Sequence, residues 1–338
     1  MNYMLKNENA IYYECGYSND NVLYLSLGLE NFLITDSRYT LAAQEGVWGN
    51  TMVITDRDLY GAASRLIRTK NIKKIFFDPK EWSVEGFEKI SKKSKTHFAP
   101  KPDMSHLKRM IKTQEEIKKL SEAVTLGKNA FKTLAKRFSK YGIGQTEQQL
   151  ANIAQSILRD FGELSFEPIV ALNDNAAMPH AIPTDSPMKE GDLLLVDAGI
   201  KYQRYCSDRT RTVEVQEGLR LKKKNTFSQK KRQKVYDIVL KAHDVAIEKA
   251  RSGMYAKEID ALARNVIVEA GFGNYFVHST GHGVGLDIHE FPIVSAKSNH
   301  IIEDGMVFTI EPGIYLPKEF GIRIEDMVVM TQGRAKIL

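Results

Sequence analysis

Two aspartates stand at the polar ends of apolar runs in "LLLVDAGIKYQRYCSDRTRTVEV", residues 193–215. Asp197 closes the first run and Asp208 opens the second. An ionised carboxylate at the end of a buried strand is costly unless a compensating charge lies beside it. The turn-prone residues between the runs predict a hairpin-like return, with a long loop, that brings both acids to one end of a sheet.

An internal repeat adds two more acids. "KEGDLLLVDAGI" and "EDGMVFTIEPGI" align at a constant offset of 114, pairing Gly191 with Gly305, Asp197 with Glu311, Gly199 with Gly313 and Ile200 with Ile314. Upstream, Glu147 pairs with Glu258 at an offset of 111, and downstream Asp208 pairs with Glu325 at 117. Such self-similarity predicts two related α+β halves facing each other across a pseudo-twofold axis. Strand alternation places Arg323 and Glu325 on one face, and Thr309 with Glu311 on another. Four carboxylates would then converge, and like charges in a low dielectric repel strongly. Two divalent cations would balance them.

The histidines cluster in "VHSTGHGVGLDIHE", at His278, His282 and His289. A spacing of four would suit a zinc pair on a helix, but Gly281, Gly283 and Gly285 argue against a regular helix there. The segment has neither an H-E-x-x-H motif nor a dinucleotide fingerprint. One imidazole therefore goes to the metals, leaving the others for substrate and proton transfer. Oxygen ligands with a single nitrogen favour Mn²⁺, Co²⁺, Fe²⁺ or Zn²⁺ over thiolate-loving metals. Two metals about 3.5–4 Å apart can share a water and lower its pKa. Taken singly, each acid reads more simply as an exposed or salt-bridged residue; taken together, they read as a metal site.

Residues 1 to about 105 alternate short apolar runs ("NVLYLSLG", "NFLITD", "TMVITD", "KKIFFD") with helical patterns, which predicts a small α/β domain. "TQEE" at 113–116 is a capping box, Thr113 with Glu116, opening a long helix. Ile117, Leu120, Val124, Phe131, Leu134 and Phe138 keep helical spacing along it. No apolar run approaches the ~20 residues of a membrane span, and the first residues show no secretory h-region. Cys15 and Cys206, the two cysteines, are too few for a disulfide scaffold and fit a cytoplasmic setting. The net charge of +6 is local. Residues 217–234 hold eight Lys/Arg and one Glu, and the rest of the chain sums to −1. A solvated loop is the favoured reading of that insert, ahead of contact with RNA, an acidic partner or a membrane surface.

Over residues 112–332 the chain resembles the pita-bread metallopeptidases, the group of methionine aminopeptidases, Xaa-Pro aminopeptidases and prolidases. "VDAG", "SDRTRT", "GHGVGLDIHE", "TIEPGIY" and "GIRIED" carry the resemblance. It implies Asp197, Asp208, His282, Glu311 and Glu325 as metal ligands, with Asp208 and Glu325 bridging two ions. It implies Asp197 on one metal, and His282 with Glu311 on the other. His289 is implied as a hydrogen-bond donor to the scissile carbonyl, and Glu311 as the group passing a proton to the leaving nitrogen. His180, His278 near the leaving proline ring, and Arg323 orienting the acids complete the implied site.

The expected architecture is a creatinase-like α/β domain, residues 1–105, followed by a duplicated α+β pita-bread catalytic domain, 106–338. The N-terminal domain favours Xaa-Pro aminopeptidase or prolidase over methionine aminopeptidase, since short forms of the latter largely lack it. A non-catalytic binding protein on the same scaffold is the reading from another class. The expected partners are a peptide or dipeptide with proline second and, by resemblance, a second copy of the chain. No membrane or nucleic-acid partner is expected.

Overall fold

In the computed structural model, which describes residues 1–92 and 94–338, the apolar runs of the first hundred residues become strands of one sheet. The chain divides into two units, Met1–Arg109 and Met110–Leu338. The first runs β1 (Tyr3–Leu5), α1 (Glu8–Cys15), β2 (Val22–Leu27), β3 (Glu30–Thr35), α2 (Thr40–Gly46), β4 (Thr51–Thr55), α3 (Leu59–Thr69), β5 (Lys74–Phe77), α4 (Val84–Ser91), β6 (His97–Pro100) and α5 (Met104–Arg109). Its sheet has the order β4-β3-β2-β1-β5-β6. The β3–β4, β1–β5 and β5–β6 pairs are parallel, and β1–β2 and β2–β3 antiparallel. Every residue of β2 is buried, so it reads as an apolar run interrupted at Ser26 alone instead of alternating.

The second unit opens with α6 (Gln114–Tyr141), capped as its sequence predicts. Glu116 N donates to Thr113 Oγ1, and Thr113 N donates back to Glu116 Oε2. Along its apolar stripe Leu120, Val124, Phe131, Leu134 and Phe138 are buried and Ile117 half-buried. Then come α7 (Glu147–Arg159), β7 (Glu163–Leu164), β8 (Ile169–Leu172), β9 (Leu193–Asp197), β10 (Ile200–Tyr202), β11 (Tyr205–Cys206) and β12 (Thr210–Glu214). The order then recurs in α8 (Lys230–Lys249), α9 (Ala256–Glu269), β13 (Gly281–Gly283), β14 (Glu290–Val294), β15 (Val307–Ile310), β16 (Gly313–Leu316), β17 (Phe320–Arg323), β18 (Asp326–Thr331) and β19 (Arg334–Ile337).

The duplication is visible in the pairing. β9 lies between antiparallel β8 and β12, as β15 lies between antiparallel β13 and β18. Each central strand leads into a small hairpin, β10–β11 or β16–β17. Leu194 and Val196 of β9 join the core under α6 and α7, while Leu193 and Leu195 join the one containing α8, α9, Phe308 and Ile324. Period-two alternation thus makes one strand serve two cores.

Two sequence expectations change. Glu147 and Glu258 are not equivalent: Glu258 is the third residue of its helix and caps Tyr255 N, a place held in α7 by Gln149, which caps Thr146 N. Glu147 is instead fully buried, accepting from Leu172 N, Asn175 Nδ2 and Thr184. The basic insert is also not simply a solvated loop. Leu219, Leu221 and Phe227 are buried, and Arg232, inside α8, donates to Gly191 O and Asn173 Oδ1. Lys223 pairs with Asp244 and Lys231 with Glu319.

Candidate metal centre

The predicted return between the two aspartates forms as an antiparallel pair, with Thr210 of β12 opposite Asp197 of β9. Asp208 lies two residues ahead of β12, displaced from the strand start because residues 200–206 fold into their own hairpin. In the second half, Glu311 follows β15 and Glu325 precedes β18. All four acids line one cavity of about 470 Å³ with His282, His180, His278, His289 and Arg323. Phe166, Ile169, Ala181, Ile288 and Ile293 supply its apolar wall.

His282 sits in β13 between Gly281 and Gly283. A Cβ on Gly281 would collide with Thr309 O, and one on Gly283 with Phe291 O, so the "GHG" run lets neighbouring backbones close around the imidazole. His282 Nδ1 donates to Gly283 O at 3.1 Å. Nε2 is thereby left facing the acids, 3.4 Å from Glu311 Oε1 and 3.6 Å from Asp208 Oδ2.

The acids are held from behind. Thr309 Oγ1 donates to Glu311 Oε1 at 3.1 Å and accepts from His282 N at the same distance. Thr210 Oγ1 donates to Glu325 Oε2 at 2.6 Å. Arg323 Nη2 reaches Asp197 Oδ2 at 2.7 Å, its Nε donates to Thr210 Oγ1, and its Nη1 donates to Tyr315 OH at 2.8 Å. One buried guanidinium therefore orients an acid of each half, the second through a threonine.

Charge inside this cavity is poorly compensated. Burial, then the neighbouring Glu325, Asp197 and Glu311, drives the Asp208 carboxyl well above its usual range. Burial, then Glu311 and Asp197, does the same to Glu325. Burial pushes Glu311 up to about 8 despite the opposing pull of Arg323. Asp197 Oδ1 and Asp208 Oδ1 are buried with no hydrogen-bond partner among the described residues. Asp208, His282 and Glu325 each present a ligand atom within 4.8 Å of the others. Hard oxygen donors, one imidazole nitrogen, a second ring nitrogen tied to a carbonyl, and orphaned carboxylate oxygens fit a divalent-cation centre.

The remaining histidines differ in kind. His180 and His289 are exposed at the cavity, and the His289 ring stands edge-on 4.4 Å from that of His282. Burial, then His282 and His180, lowers the His289 pKa. His278 has both nitrogens engaged: Nδ1 donates to Ser279 O, and Nε2 accepts from Tyr315 OH, each at 2.8 Å. Burial, followed by Arg323, lowers its pKa to about 4 and keeps it neutral. Tyr315 and Thr210 carry no role in the sequence reading, and Thr309 only a face shared with Glu311. All three stand inside the motifs "TIEPGIY" and "SDRTRT".

Comparison with known proteins identifies the frame. Residues 118–332 match metallopeptidase family M24 and residues 2–140 match the creatinase/prolidase N-terminal domain, so the chain belongs to metallopeptidase family M24. It is 38% identical to the Xaa-Pro dipeptidase of Pyrococcus furiosus over 257 residues, covering 75% of this chain and 70% of that protein. Among solved structures, it is similar to an Xaa-Pro dipeptidase from Bacillus anthracis, at 30% identity and a TM-score of 0.91, covering 99% of this chain and 92% of the other. The X-Pro aminopeptidase from Thermotoga maritima gives 30% identity and a TM-score of 0.88, covering 99% and 94%. The duplicated unit is the pita-bread fold, and the protein is a metal-dependent hydrolase of peptides.

Proposed function

We propose that this chain is an exopeptidase that cleaves the Xaa-Pro bond at the amino end of peptides or dipeptides, using two divalent metal ions. The observation carrying this reading is the convergence of four acids from two halves on one imidazole, with carboxylate oxygens left orphaned. Asp197, Asp208, His282, Glu311 and Glu325 would hold the metals, Mn²⁺ in this reading, with Co²⁺, Zn²⁺ and Fe²⁺ as alternatives. When bound, such ions polarise a carbonyl and lower the pKa of water.

The chain's own groups supply the rest. Glu311 moves a proton toward the leaving nitrogen, general acid–base work for a carboxylate that lines the cavity. His289 donates to the scissile carbonyl oxygen as its negative charge grows. His180 faces substrate from the same cavity. His278, neutral and fixed by Tyr315, presents its ring beside the proline. Arg323 keeps Asp197 and, through Thr210, Glu325 in place. Phe166, Ile169, Ile288 and Ile293 accept apolar substrate surface and exclude water.

In this reading residues 1–105 form the creatinase-like domain and 106–338 the catalytic domain. The protein works as a cytoplasmic homodimer. Both cysteines are buried and free, in keeping with a reducing compartment. Among the described residues no helix is long and apolar enough to cross a membrane, and neither a membrane nor nucleic acid figures as a partner. The relatives named for Xaa-Pro substrates disfavour the methionine aminopeptidase and binding-protein alternatives. A panel of Xaa-Pro, Xaa-Pro-Yaa and Met-Ala-Yaa peptides with added Mn²⁺ tests the reading. Hydrolysis of the proline peptides is expected. Cleavage of Met-Ala-Yaa alone would reassign the enzyme, and a metal-loaded protein inert to all three would favour a binding role.

A further inference from the structure

A fully buried ion pair lies behind the cavity wall. Lys112 Nζ stands 3.0 Å from Glu290 Oε2, and both side chains are 1% exposed. Taking two charges out of water is expensive, so net stability is a poor reason for such a pair; fixing a conformation is a better one. Its surroundings say which conformation.

Glu290 opens β14 directly after His289. Its Oε1 accepts from Asp287 N at 3.1 Å, and its carboxylate fills the space a Cβ on Gly285 would need. Residues 284–289 are thus wound around one carboxylate. The same loop is tied to the first half, where Cys206 N donates to Gly285 O at 2.8 Å. Lys112 is itself anchored: its N donates to Gly305 O at 2.9 Å, and Ile111 bridges Met306, just ahead of β15. Glu290 is held inward, while its neighbour His289, the last residue of the bend before β14, lines the cavity and meets the edge of the His282 ring.

We propose that Lys112 and Glu290 are positioning residues for His289: the buried pair locks the loop 284–289 to the segment leading into β15 and so fixes where that imidazole stands. This rests on the reading of His289 as a substrate-side donor. Lys112→Met removes the ammonium that faces Glu290 Oε2. The double variant Lys112→Met/Glu290→Gln removes both charges yet keeps an oxygen for Asp287 N.

In full-length, metal-loaded protein, Lys112→Met should lower kcat by about 10–100-fold, the usual scale for a residue that orients an active group. Metal content and KM should change little, and the neutral double variant should regain most of the loss. In a His289→Ala background, Lys112→Met should add no further loss. Losses that multiply in that background, or a double variant no better than the single, would overturn the proposal. Hydrogen exchange over residues 284–289 supplies a readout free of catalysis. It should quicken in Lys112→Met and slow again in the double variant, and unchanged exchange would equally overturn the proposal. If the wild type cleaves no proline peptide, the proposed function falls while the exchange measurement still decides the positioning role. Should Lys112→Met fail to fold, Glu290→Gln carries the same comparisons.

Discussion

The two halves of the catalytic unit share a plan and differ in chemistry. Each has two helices, a central strand flanked by two partners, and a hairpin that returns the chain beside an acid. Asp197 and Glu311 follow the same path, as do Asp208 and Glu325. Yet β8 reads "IVAL" where β13 reads "GHG", so of these two equivalent strands only β13 sets an imidazole against the acids. Cys206 ends β11 where Arg323 ends β17, so at this position only the second half turns a guanidinium into the cavity. The residue two after each acid serves the opposite half: Thr210 donates to Glu325, while Met327 accepts from Asp208 N. Duplication therefore accounts for the carboxylate frame. Divergence at a few equivalent positions accounts for the nitrogen ligand, the guanidinium clamp and the difference between a hydroxyl and a thioether behind the acids.

Removing what both halves hold in common should have the largest effect. A chelator should abolish hydrolysis of Xaa-Pro peptides, with Mn²⁺ or Co²⁺ restoring it in a direct activity assay. Breaking a feature of one half alone comes next. His289→Ala should keep its metals by elemental analysis and lose roughly 10²–10³ in kcat, the scale for one oxyanion donor. Metal loss in that variant, with retention in His282→Ala, would reverse the roles assigned to the two histidines.

The Thr210 and Met327 positions sharpen the comparison further. Thr210→Val removes a hydroxyl that accepts from Arg323 and donates to Glu325, and should cost about 10–100-fold in metal affinity or activity. Met327→Leu should change stability by less than about 1.5 kcal/mol and leave metal affinity alone. Calorimetric metal titration of both variants distinguishes them; equal losses would mean that the two halves support their acids alike. The smallest effect is expected at the helix starts. Thr146 caps α7 with its side chain, so Thr146→Ala should cost about 1 kcal/mol in denaturant unfolding. Removing the Tyr255 side chain, half-exposed at the start of α9, should cost less.

The acids, the glycine-flanked histidine and the repeat were legible because each leaves a local mark: a charge ending an apolar run, a loop too glycine-rich for a helix, a constant offset. The capping box at Thr113 and the stripe along α6 were legible for the same reason. Contacts across the fold were not. Thr210 meets Glu325, and Tyr315 joins Arg323 to His278, only once the halves have packed. No local pattern ranks one threonine of "RTRT" above the other. The false pairing of Glu147 with Glu258 has a related cause: two helices of similar pattern can be aligned in several registers, and only the caps show where each begins. The basic insert misled because charge run and burial are separable: its Leu219, Leu221 and Phe227 anchor a segment whose lysines remain outside.

The central claim is that acids from both halves hold the metals jointly. Metal stoichiometry per chain, by elemental analysis after dialysis, tests it most directly when the wild type is compared with Asp208→Asn from the first half and Glu325→Gln from the second. The account predicts two metal equivalents in the wild type, fewer in each variant, and activity lost in step. Full metal content in the variants of either half, or full activity in a metal-free wild type, would contradict it.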